Sequence, residues 1–389
     1  MGVRRKRFAQ RRRAVGFSQE RFAERLRVDR STVARWEAGE NEPLPWLRPE
    51  LARVLRVSVD ELDELLTESE EDDVPVDGPL RYALDRPTGV DLHAAASLRE
   101  RVQKLDQRYD KVASTTLLAD TGQCLGQVSF LRAHAATNRV RRELYAIEVE
   151  AATLMGQLLW DASQRRDHST ACMYFNQAIA VARQLHDADA EGLALLRMSF
   201  VALYGEKKDP RTGLELALRA AQVTDRTSHV LAGLGVLHAA EAYAMIGQRQ
   251  DCERSLADAE THFEQISMTD AAMDLFSPTQ HGRLAGSCYL FLEDAKRAQP
   301  ILESTAKRLQ DQSKSQAIVL GNLAVAYIRQ QKIEEAAAVL HTAIDVVEAT
   351  RGGGGINVVF GAAQSLRPWR NVAEVQEVCD RLLGLMVSA

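Results

Sequence analysis

The 389-residue chain has few of the residues that mark several classes of protein. Its 23 glycines and 10 prolines are too few for a collagen-like or low-complexity chain. Its five cysteines are widely spread and never in C-x-x-C spacing, so neither a disulfide framework nor a zinc knuckle is predicted. No uninterrupted apolar run reaches the roughly 18 residues of a membrane span. We therefore expect neither export nor membrane insertion, and a cytoplasmic location.

The sequence also lacks the motifs of common enzyme classes. No P-loop, dinucleotide-binding glycine motif, H-E-x-x-H or G-x-S-x-G is present. The glycine run at Gly352–Gly355 has no Lys-Ser/Thr after it, so it is interpreted as a flexible connector instead of a phosphate cradle. His238 and Glu241 lie three apart, but no further ligands accompany them. We predict no enzyme activity, no catalytic residue, no metal site and no cofactor.

Charge is distributed unevenly along the chain. Residues 1–57 contain 15 Lys or Arg and 7 Asp or Glu, a net charge of +8. The other 332 residues contain 34 against 47, a net charge of -13, which brings the whole chain to -5. This asymmetry predicts that the first part binds a polyanion and that the second part does not.

Turn-forming residues divide the chain into three parts. Short amphipathic helical patterns fill residues 1–66, and an acidic linker rich in Pro and Gly is predicted at 67–90. Residues 91–389 show Ala and Leu at spacings of three and four, without a strand-like alternation of useful length. The predicted fold class is therefore all-α, with two domains.

The helical region repeats a pattern of small and large residues at positions i, i+4 and i+7. The copies recur every 38 to 46 residues, which is enough for two helices and two turns. They consist of Ala171, Phe175 and Ala178; Gly213, Ala217 and Ala220; Cys252, Leu256 and Ala259; Ala298, Leu302 and Thr305; and Ala336, Leu340 and Ala343. Four copies have a tyrosine nine residues before their first member: Tyr204, Tyr243, Tyr289 and Tyr327.

This pattern resembles the tetratricopeptide repeat over about residues 151–347. One unit matches the family's small and large positions with Leu320, Leu323, Ala324, Tyr327, Ala336, Leu340 and Ala343. The spacing exceeds the family's usual length of about 34 residues, and Ala162 stands where an aromatic residue is expected. The resemblance implies a curved α-solenoid with a concave face, and an irregular helical bundle is the alternative.

The basic N-terminal region contains two short helices joined by a tight turn. Ser18 and Asp29 are the predicted N-caps of these helices, and Gly39 lies where the second one must end. Their apolar residues fall on one face, which comprises Phe22, Ala23, Leu26, Val33 and Trp36. The outward face of the second helix carries Arg30, Ser31 and Arg35.

Residues 8–66 resemble the five-helix, phage-repressor-type helix-turn-helix domain of the Xre family. The match rests on four ordered segments: Ser18–Leu26, Ser31–Gly39, Pro49–Ala52 and Val57–Leu62. One departure is Arg27, where the family usually has Gly, and a left-handed residue with a side chain costs on the order of 1 kcal/mol there. The resemblance implies a DNA-binding domain.

The outward residues supply the predicted DNA contacts. A helix fits the major groove, where Arg30 and Arg35 can each bond the O6 and N7 of guanine and Ser31 can contact a base or a phosphate. By resemblance, Gln19 anchors a phosphate or a nearby base, and the base-contacting set is Arg30, Ser31, Arg35 and Gln19. Arg21 and Thr32 are predicted phosphate contacts. Alternatively, the arginines only solvate an exposed helix face.

The first thirteen residues contain seven cations and no acid: Arg4, Arg5, Lys6, Arg7, Arg11, Arg12 and Arg13. One interpretation is a nonspecific arm in which Arg4 and Arg5 contact phosphates or reach the minor groove. The other is a basic first helix whose Phe8 enters the core.

A DNA-reading domain joined to a solenoid predicts a sequence-specific transcriptional regulator associated with the nucleoid. One half-site buries too little surface for useful specificity, so we expect a homodimer on palindromic double-stranded DNA. The arrangement is similar to the peptide-pheromone (quorum-sensing) regulators of Gram-positive bacteria and to Xre regulators with tetratricopeptide tails in actinomycetes. This implies that residues 91–389 dimerise and bind a peptide or small-molecule effector. By repeat convention the effector pocket includes Trp160, Leu237, Glu241, Arg283 and Arg329.

Two other functions stay open at this point. The repeats can dock a partner protein in an interaction adaptor whose DNA-binding module is accessory. The protein can also be a constitutive repressor that senses nothing. Sequence-selective, salt-dependent DNA binding separates a regulator from an adaptor, and an effector that changes it separates a sensor from a constitutive repressor.

Overall fold

The structure is a computed structural model of the chain. It describes residues 8–9, 11–12, 15, 17–26, 28–39, 41–44, 47–55, 57–58, 62, 65–66, 78–309 and 313–387. The chain divides into two compact units, Met1–Gly78 and Pro79–Ala389. All regular secondary structure in the described residues is helical, which confirms the all-α prediction.

Three helices of the first unit are described in full: α1 (Gln19–Leu26), α2 (Arg30–Glu37) and α3 (Arg48–Leu55). Residues 8–9, 11–12, 62 and 65–66 are also helical, at the positions expected for the first and fifth helices. One apolar core joins these segments, and its fully buried members are Phe8, Phe22, Val33, Leu51, Leu55 and Leu62. Phe8 therefore packs as the second interpretation of the basic cluster predicted, whereas Arg4 and Arg5 lie outside the described residues.

The ends of α1 and α2 have the predicted turn chemistry. Oγ of Ser18 accepts a hydrogen bond from the backbone N–H of Arg21 at 3.2 Å, which confirms the first N-cap. Asp29 occupies the N-cap position of α2 with an extended backbone, but its side chain makes no capping bond. Gly39 has a φ of 71°, the left-handed conformation that was predicted to end α2. Arg27, in the turn between the helices, lies outside the described residues.

The second unit consists of helices joined by short turns. They are α4 (Gly78–Asp85), α5 (Leu92–Arg108), α6 (Leu118–His134), α7 (Asn138–Ala162), α8 (His168–Leu185), α9 (Ala188–Tyr204), α10 (Pro210–Thr224), α11 (His229–Ile246), α12 (Arg249–Glu264), α13 (Gln280–Phe291), α14 (Ala295–Arg308), α15 (Lys314–Arg329), α16 (Ile333–Thr350), α17 (Gly353–Ser365) and α18 (Ala373–Val387). Short 3-10 helices occur at Pro87–Gly89, Ser114–Thr116, Met273–Leu275 and Arg367–Trp369. From α7 onward each helix packs against the next.

The repeated pattern of small and large residues lies at the interfaces between these helices. All of its members are buried, and each copy is on the second helix of a pair, in α8, α10, α12, α14 or α16. The four tyrosines lie on the first helices α9, α11, α13 and α15. Those first helices also contact one another, so they form one continuous layer. The predicted stack of helix pairs is confirmed.

Helix α11 is apolar on nearly all sides. Among the helices the structure describes, it is the one whose length and composition would allow a membrane crossing, with a mean hydropathy of 1.3 over 18 residues. Within the unit, 72% of that window is buried against neighbouring helices. A helix packed in the core of a helical stack has the same composition, so this feature is explained by packing.

The predicted linker was wrong at its C-terminal end. Residues 78–85 form α4, and Leu80 and Ala83 of this helix are buried in a core shared with α5 and α6. Pro79 lies in the first turn of α4 and Pro87 begins a 3-10 helix, positions where proline is tolerated because the N–H has no intrahelical partner. Prolines that were interpreted as linker residues therefore mark helix starts. Residues 67–77 lie outside the described residues.

The prediction of a flexible connector at Gly352–Gly355 was also wrong. Gly353–Gly355 form the first turn of α17, and all four glycines are buried. A Cβ on Gly353 would lie 2.6 Å from the carbonyl oxygen of Asp161, and one on Gly355 would lie 2.7 Å from Cβ of Ala317. Glycine is needed here because α17 approaches α7 and α15 too closely for a side chain.

Contacts between residues far apart in the sequence close the second unit on itself. Nζ of Lys314, the first residue of α15, lies 2.9 Å from Oδ2 of Asp161 near the end of α7 and 2.8 Å from Oγ of Ser114. All three residues are buried, and the ammonium also lies 4.0 Å from the ring centroid of Tyr109. In an open solenoid each repeat contacts only its neighbours. These contacts therefore show that the stack of helix pairs winds round until distant repeats meet.

Replacing Lys314 tests the importance of this closure for stability. Lys314→Met is expected to lower the free energy of unfolding by about 3–5 kcal/mol, because it leaves Asp161 buried without its counter-ion. The double variant Lys314→Met/Asp161→Leu is expected to recover most of the loss, since both charged groups are then gone. Urea denaturation followed by circular dichroism measures both changes.

Lys104→Met is the matched control. Lys104 forms an exposed pair with Glu100 at 2.7 Å, one turn away on the same helix. Its loss is expected to cost less than about 0.5 kcal/mol. Equal losses for the Lys104 and Lys314 variants would contradict a structural role for the buried pair.

Candidate functional site

Helix α2 presents three of the predicted base-contacting residues to solvent. Arg30, Ser31 and Arg35 are exposed, whereas Val33 and Trp36 face α1 and are buried. Nε of Arg35 donates to the carbonyl oxygen of Ser31 at 3.3 Å, so the guanidinium lies along the outer face of the helix. This is the arrangement that a groove-reading helix requires.

Arg30 is held by an ion pair that sequence reasoning missed. Its Nε lies 2.7 Å from Oε1 of Glu20 on α1, with side-chain exposures of 65% and 55%. The two residues are ten apart, so only the packing of α1 against α2 brings them together. Exposed pairs contribute little stability, so a DNA phosphate or a guanine can compete with Glu20 for this guanidinium.

Gln19 is fixed by a buried network under the start of α1. Its Nε2 donates to Oε2 of Glu37 at 2.5 Å, and Nε of Arg12 donates to Oε1 of the same carboxylate at 2.7 Å. The Arg12 guanidinium also bonds the carbonyl oxygen of Phe17. Arg12 was counted among the cations of the proposed phosphate arm, but it is 3% exposed and holds the domain together. Arg11 likewise donates from Nε to the carbonyl oxygen of Leu55, at 2.9 Å.

The predicted phosphate contacts have mixed positions. Arg21 is exposed on α1, and Thr32 is half-buried on α2. Arg4 and Arg5 lie outside the described residues. In the described part of the first unit, Gln19 and Arg21 lie at the start of α1, and Arg30, Ser31 and Arg35 are exposed on α2. Their contacts with DNA stay a prediction.

The second unit contains a cavity of about 420 Å³. The first helices of the pairs, α7, α9, α11, α13 and α15, line it together with α17. Four of the five predicted pocket residues are among its lining: Trp160, Glu241, Arg283 and Arg329. The fifth, Leu237, is not, because it shares a helix face with Ala240 and Ala244 that packs in the core against α12 and α13. The prediction for Leu237 was therefore wrong.

The lining is rich in positive charge. Six cations, Arg165, Arg197, Lys208, Arg283, Lys314 and Arg329, lie around the cavity with three carboxylates, Asp110, Asp161 and Glu241. Lys314 and Asp161 neutralise each other in the closing ion pair. Arg329 donates to the carbonyl oxygen of Leu290, and the ammonium of Lys208 lies 5.6 Å from the ring centroid of Phe291.

Arg165 and Arg197 lie against aromatic rings, and the charge of Arg283 opposes the rise that burial causes in the pKa of the Asp110 carboxyl. The guanidinium of Arg165 lies 4.6 Å from the ring centroid of Trp160 and 5.7 Å from that of Tyr204. That of Arg197 lies 5.5 Å from the ring centroid of Phe200. Within the described ranges, the side chains of Arg165, Arg197 and Arg283 make no hydrogen bond or ion pair. Sequence reasoning missed Arg165 and Arg197, since nothing local distinguishes them from surface arginines.

A buried polar network forms one wall of the cavity. The hydroxyls of Tyr204 and Ser287 both donate to the carboxylate of Glu241. Oη of Tyr204 lies 2.6 Å from Nδ1 of His238, which must therefore be the donor in that contact. Burial lowers the pKa of His238 well below its usual value, so this imidazole is neutral. Among the residues that the structure describes, no group of three or more His, Cys, Asp or Glu side chains is placed to hold a metal ion.

The titration of Glu241 gives a pH-dependent prediction. Burial raises the pKa of this carboxyl above its ordinary value of 4.5, so the folded chain binds the proton more tightly than the unfolded chain does. This contribution to stability is present below the unfolded pKa and is lost as the pH rises through the folded one. Glu241→Gln cannot titrate. We therefore expect the free energy of unfolding of the variant, relative to the native chain, to increase as the pH is raised from about 4.5 in urea titrations. A difference independent of pH would contradict this.

Comparison with known proteins gives one result for the first unit. The helix-turn-helix family model HTH_3 matches residues 8–62. No curated protein matches the chain. The matched segment contains α1, α2 and α3 with the exposed arginines of α2, and an all-helical region follows it. The N-terminal unit is an Xre-type helix-turn-helix, the kind of domain found in DNA-binding regulators.

Proposed function

We propose that the protein is a sequence-specific DNA-binding transcriptional regulator that acts as a homodimer and responds to an effector bound in its helical-repeat unit. One observation carries the proposal: the outer face of α2 exposes Arg30, Ser31 and Arg35 inside a segment that matches the helix-turn-helix family. The regulator is not an enzyme in this proposal, and it acts in the cytoplasm at the nucleoid.

The first unit supports DNA reading through α2. Among the described residues Arg35 has no acidic partner, and it can fork onto a guanine edge, while Ser31 beside it is short enough to reach a base or a phosphate. Arg30 exchanges its exposed partner Glu20 for DNA. The buried Glu37 carboxylate fixes Gln19, so this amide meets DNA without further loss of side-chain freedom.

The dimer follows from the small size of this reading surface. One helix reads only a few base pairs, and two such units on a two-fold axis read a palindrome whose half-sites are one helical turn apart. We assign the dimer contacts to the helical-repeat unit, which is also the part that resembles tetratricopeptide repeats.

The effector role rests on the cavity. Its lining residues lie between Tyr109 and Ala362 and belong to several helix pairs, so a bound molecule contacts many repeats at once. Such a ligand favours the arrangement of the repeats that it fits best. In this proposal, that shift in conformation changes DNA binding by the first unit. The adaptor alternative is less well supported, because an adaptor docks its partner on an open concave face and the repeats here close round a cavity.

Selection of bound sequences from random DNA with the full chain tests the proposal. A palindromic motif with half-sites about one helical turn apart is expected. Failure to enrich any sequence at modest ionic strength, or equal binding to all sequences, would overturn it.

Arg35 is predicted to read bases. Arg35→Ala is expected to reduce discrimination between the selected site and a scrambled site by about 1–3 kcal/mol, because the fork onto guanine is lost. Arg30→Ala is expected to have an effect of the same size. Titrations by fluorescence anisotropy on both DNAs measure the change.

Two further arginines serve as controls. Arg21→Ala is expected to weaken selected and scrambled DNA alike and to reduce the salt dependence of log K by about one, as for a phosphate contact. Arg226→Ala removes the same charge from an exposed turn of the second unit and is expected to change neither affinity appreciably. Loss of discrimination in the Arg226 variant but not in the Arg35 variant would contradict the assignment.

The dimer makes a separate prediction about spacing. Scrambling one half-site is expected to weaken binding about 100-fold or more, because the second contact of the dimer is lost. Inserting about five base pairs between half-sites is expected to weaken it similarly, since this turns the half-sites to opposite sides of the duplex. Sedimentation of the complex gives its stoichiometry. Unchanged affinity for a single half-site would show that a monomer binds.

A further inference from the structure

We propose that the cavity of the second unit binds a compact anion with a flat aromatic part, and that Arg165, Arg197 and Arg283 hold its anionic oxygens. The identification of this ligand as the effector rests on the proposed function. Its binding in the cavity does not. The shared chemistry is an anionic oxygen group, either a phosphate or a carboxylate. The proposal depends on the hydrogen-bonding groups that the cavity leaves unused.

Several hydrogen-bond donors that line the cavity have no partner among the described residues. The side chains of Arg165, Arg197 and Arg283 have no hydrogen bond or ion pair among the described residues. Nε1 of Trp160 is a buried donor without a partner, and the whole side chain is 3% exposed. A buried donor left unpaired is unfavourable. Nε of Arg165 is likewise buried and unpaired among the described residues, whereas Arg197 and Arg283 are half-buried. A ligand rich in acceptor oxygens removes the cost at Trp160 and Arg165 and adds hydrogen bonds at the two half-buried guanidiniums.

Each carboxylate that lines the cavity accepts a hydrogen bond, that of Asp110 from Oγ of Ser315 at 3.4 Å. The carboxylate of Asp161 accepts from Lys314 and Ser114, and that of Glu241 accepts from Tyr204 and Ser287. Burial raises the pKa of Glu241, and the hydrogen bonds from Ser287 and Tyr204 oppose that effect. The cavity therefore has few places for a cationic group and several for an anionic one.

The three arginines act on the same space. Burial lowers the pKa of His238, and the charges of Arg283 and Arg197 lower it further. Burial also lowers the pKa of Arg165; the charge of Asp161 opposes this effect, and that of Arg283 adds to it. Positive charges that come from α9, α13 and the turn after α7 thus repel one another across the cavity. An anion among them relieves that repulsion.

The aromatic lining favours a flat ligand. Trp160 and Tyr204 flank the guanidinium of Arg165, and Phe200 lies against that of Arg197. Rings and guanidinium planes present flat surfaces on which an aromatic group can stack. The volume of about 420 Å³ is near the lower end of ligand pockets, which span about 300–1,000 Å³. It favours a compact molecule over an extended peptide.

Two fluorescent probes of nearly the same shape test the charge requirement. Anilinonaphthalene sulfonate carries an anionic group on a flat aromatic body, and phenylnaphthylamine is the same body without the charge. The full chain is expected to bind the sulfonate at one site and at least about tenfold more tightly than the neutral probe. Equal affinities would show that the cavity is merely apolar and would overturn the proposal.

Arginine variants locate the site. Arg283→Gln and Arg197→Gln are each expected to weaken binding of the sulfonate probe about tenfold and to leave the neutral probe unaffected. Arg226→Gln, at an exposed turn outside the cavity, is the matched control and is expected to change neither. Retained binding of the neutral probe and an unchanged circular dichroism spectrum show that a variant is folded. Unchanged affinity of the sulfonate probe in both cavity variants would overturn the assignment.

Displacement of the sulfonate probe distinguishes a phosphate ligand from a carboxylate ligand. Stronger displacement by phenyl phosphate assigns a phosphate ligand, and stronger displacement by phenylacetate assigns a carboxylate. Displacement by neither compound, but by the neutral phenylacetamide, would contradict an anion site. DNA binding is measured separately on the selected operator. Anion binding without sequence-selective DNA binding would overturn the proposed function alone, and the reverse result would overturn only this inference.

Discussion

The buried ion pair between Lys314 and Asp161 is the constraint on which the second unit depends. Removing two charged groups from water is costly, and their attraction offsets that cost only when further bonds satisfy both groups. Here Ser114 bonds both partners, and the ring of Tyr109 lies against the ammonium. The pair joins residues 153 apart. This long-range contact turns an open stack of helix pairs into a closed one with a cavity inside.

The parts of the fold that were predictable are those set by short-range spacing. Positions four and three apart lie on one helix face, so the small and large residues of each repeat identified the packed side of α8, α10, α12, α14 and α16. Closure depends instead on contacts across half the unit, which leave no local pattern. The run Gly352–Gly355 shows the difference: it has the composition of a connector, yet each glycine is there to admit a distant segment.

The same distinction holds at the two sites. Charge counting placed Arg12 with the phosphate-binding cations, because a sequence does not show that Glu37 lies beneath it. Repeat convention identified the first helices as the inner layer, so it found Trp160, Glu241 and Arg283. It missed Arg165 and Arg197, which stand out because their side chains have no hydrogen bond or ion pair among the described residues. An unpaired arginine can be recognised only when all of its neighbours are known.

The closing pair and the cavity are coupled through the end of α7. Asp161 closes the winding, and Arg165 lies four residues further on, where its charge works against the protonated form of Lys314. Burial is the larger cause of the lowered pKa of Lys314, and Asp161 opposes it. An anion bound at Arg165 reduces the repulsion between the two cations and so strengthens the ion pair. Because binding linkage is reciprocal, the closed winding must then bind that anion more tightly than an opened one.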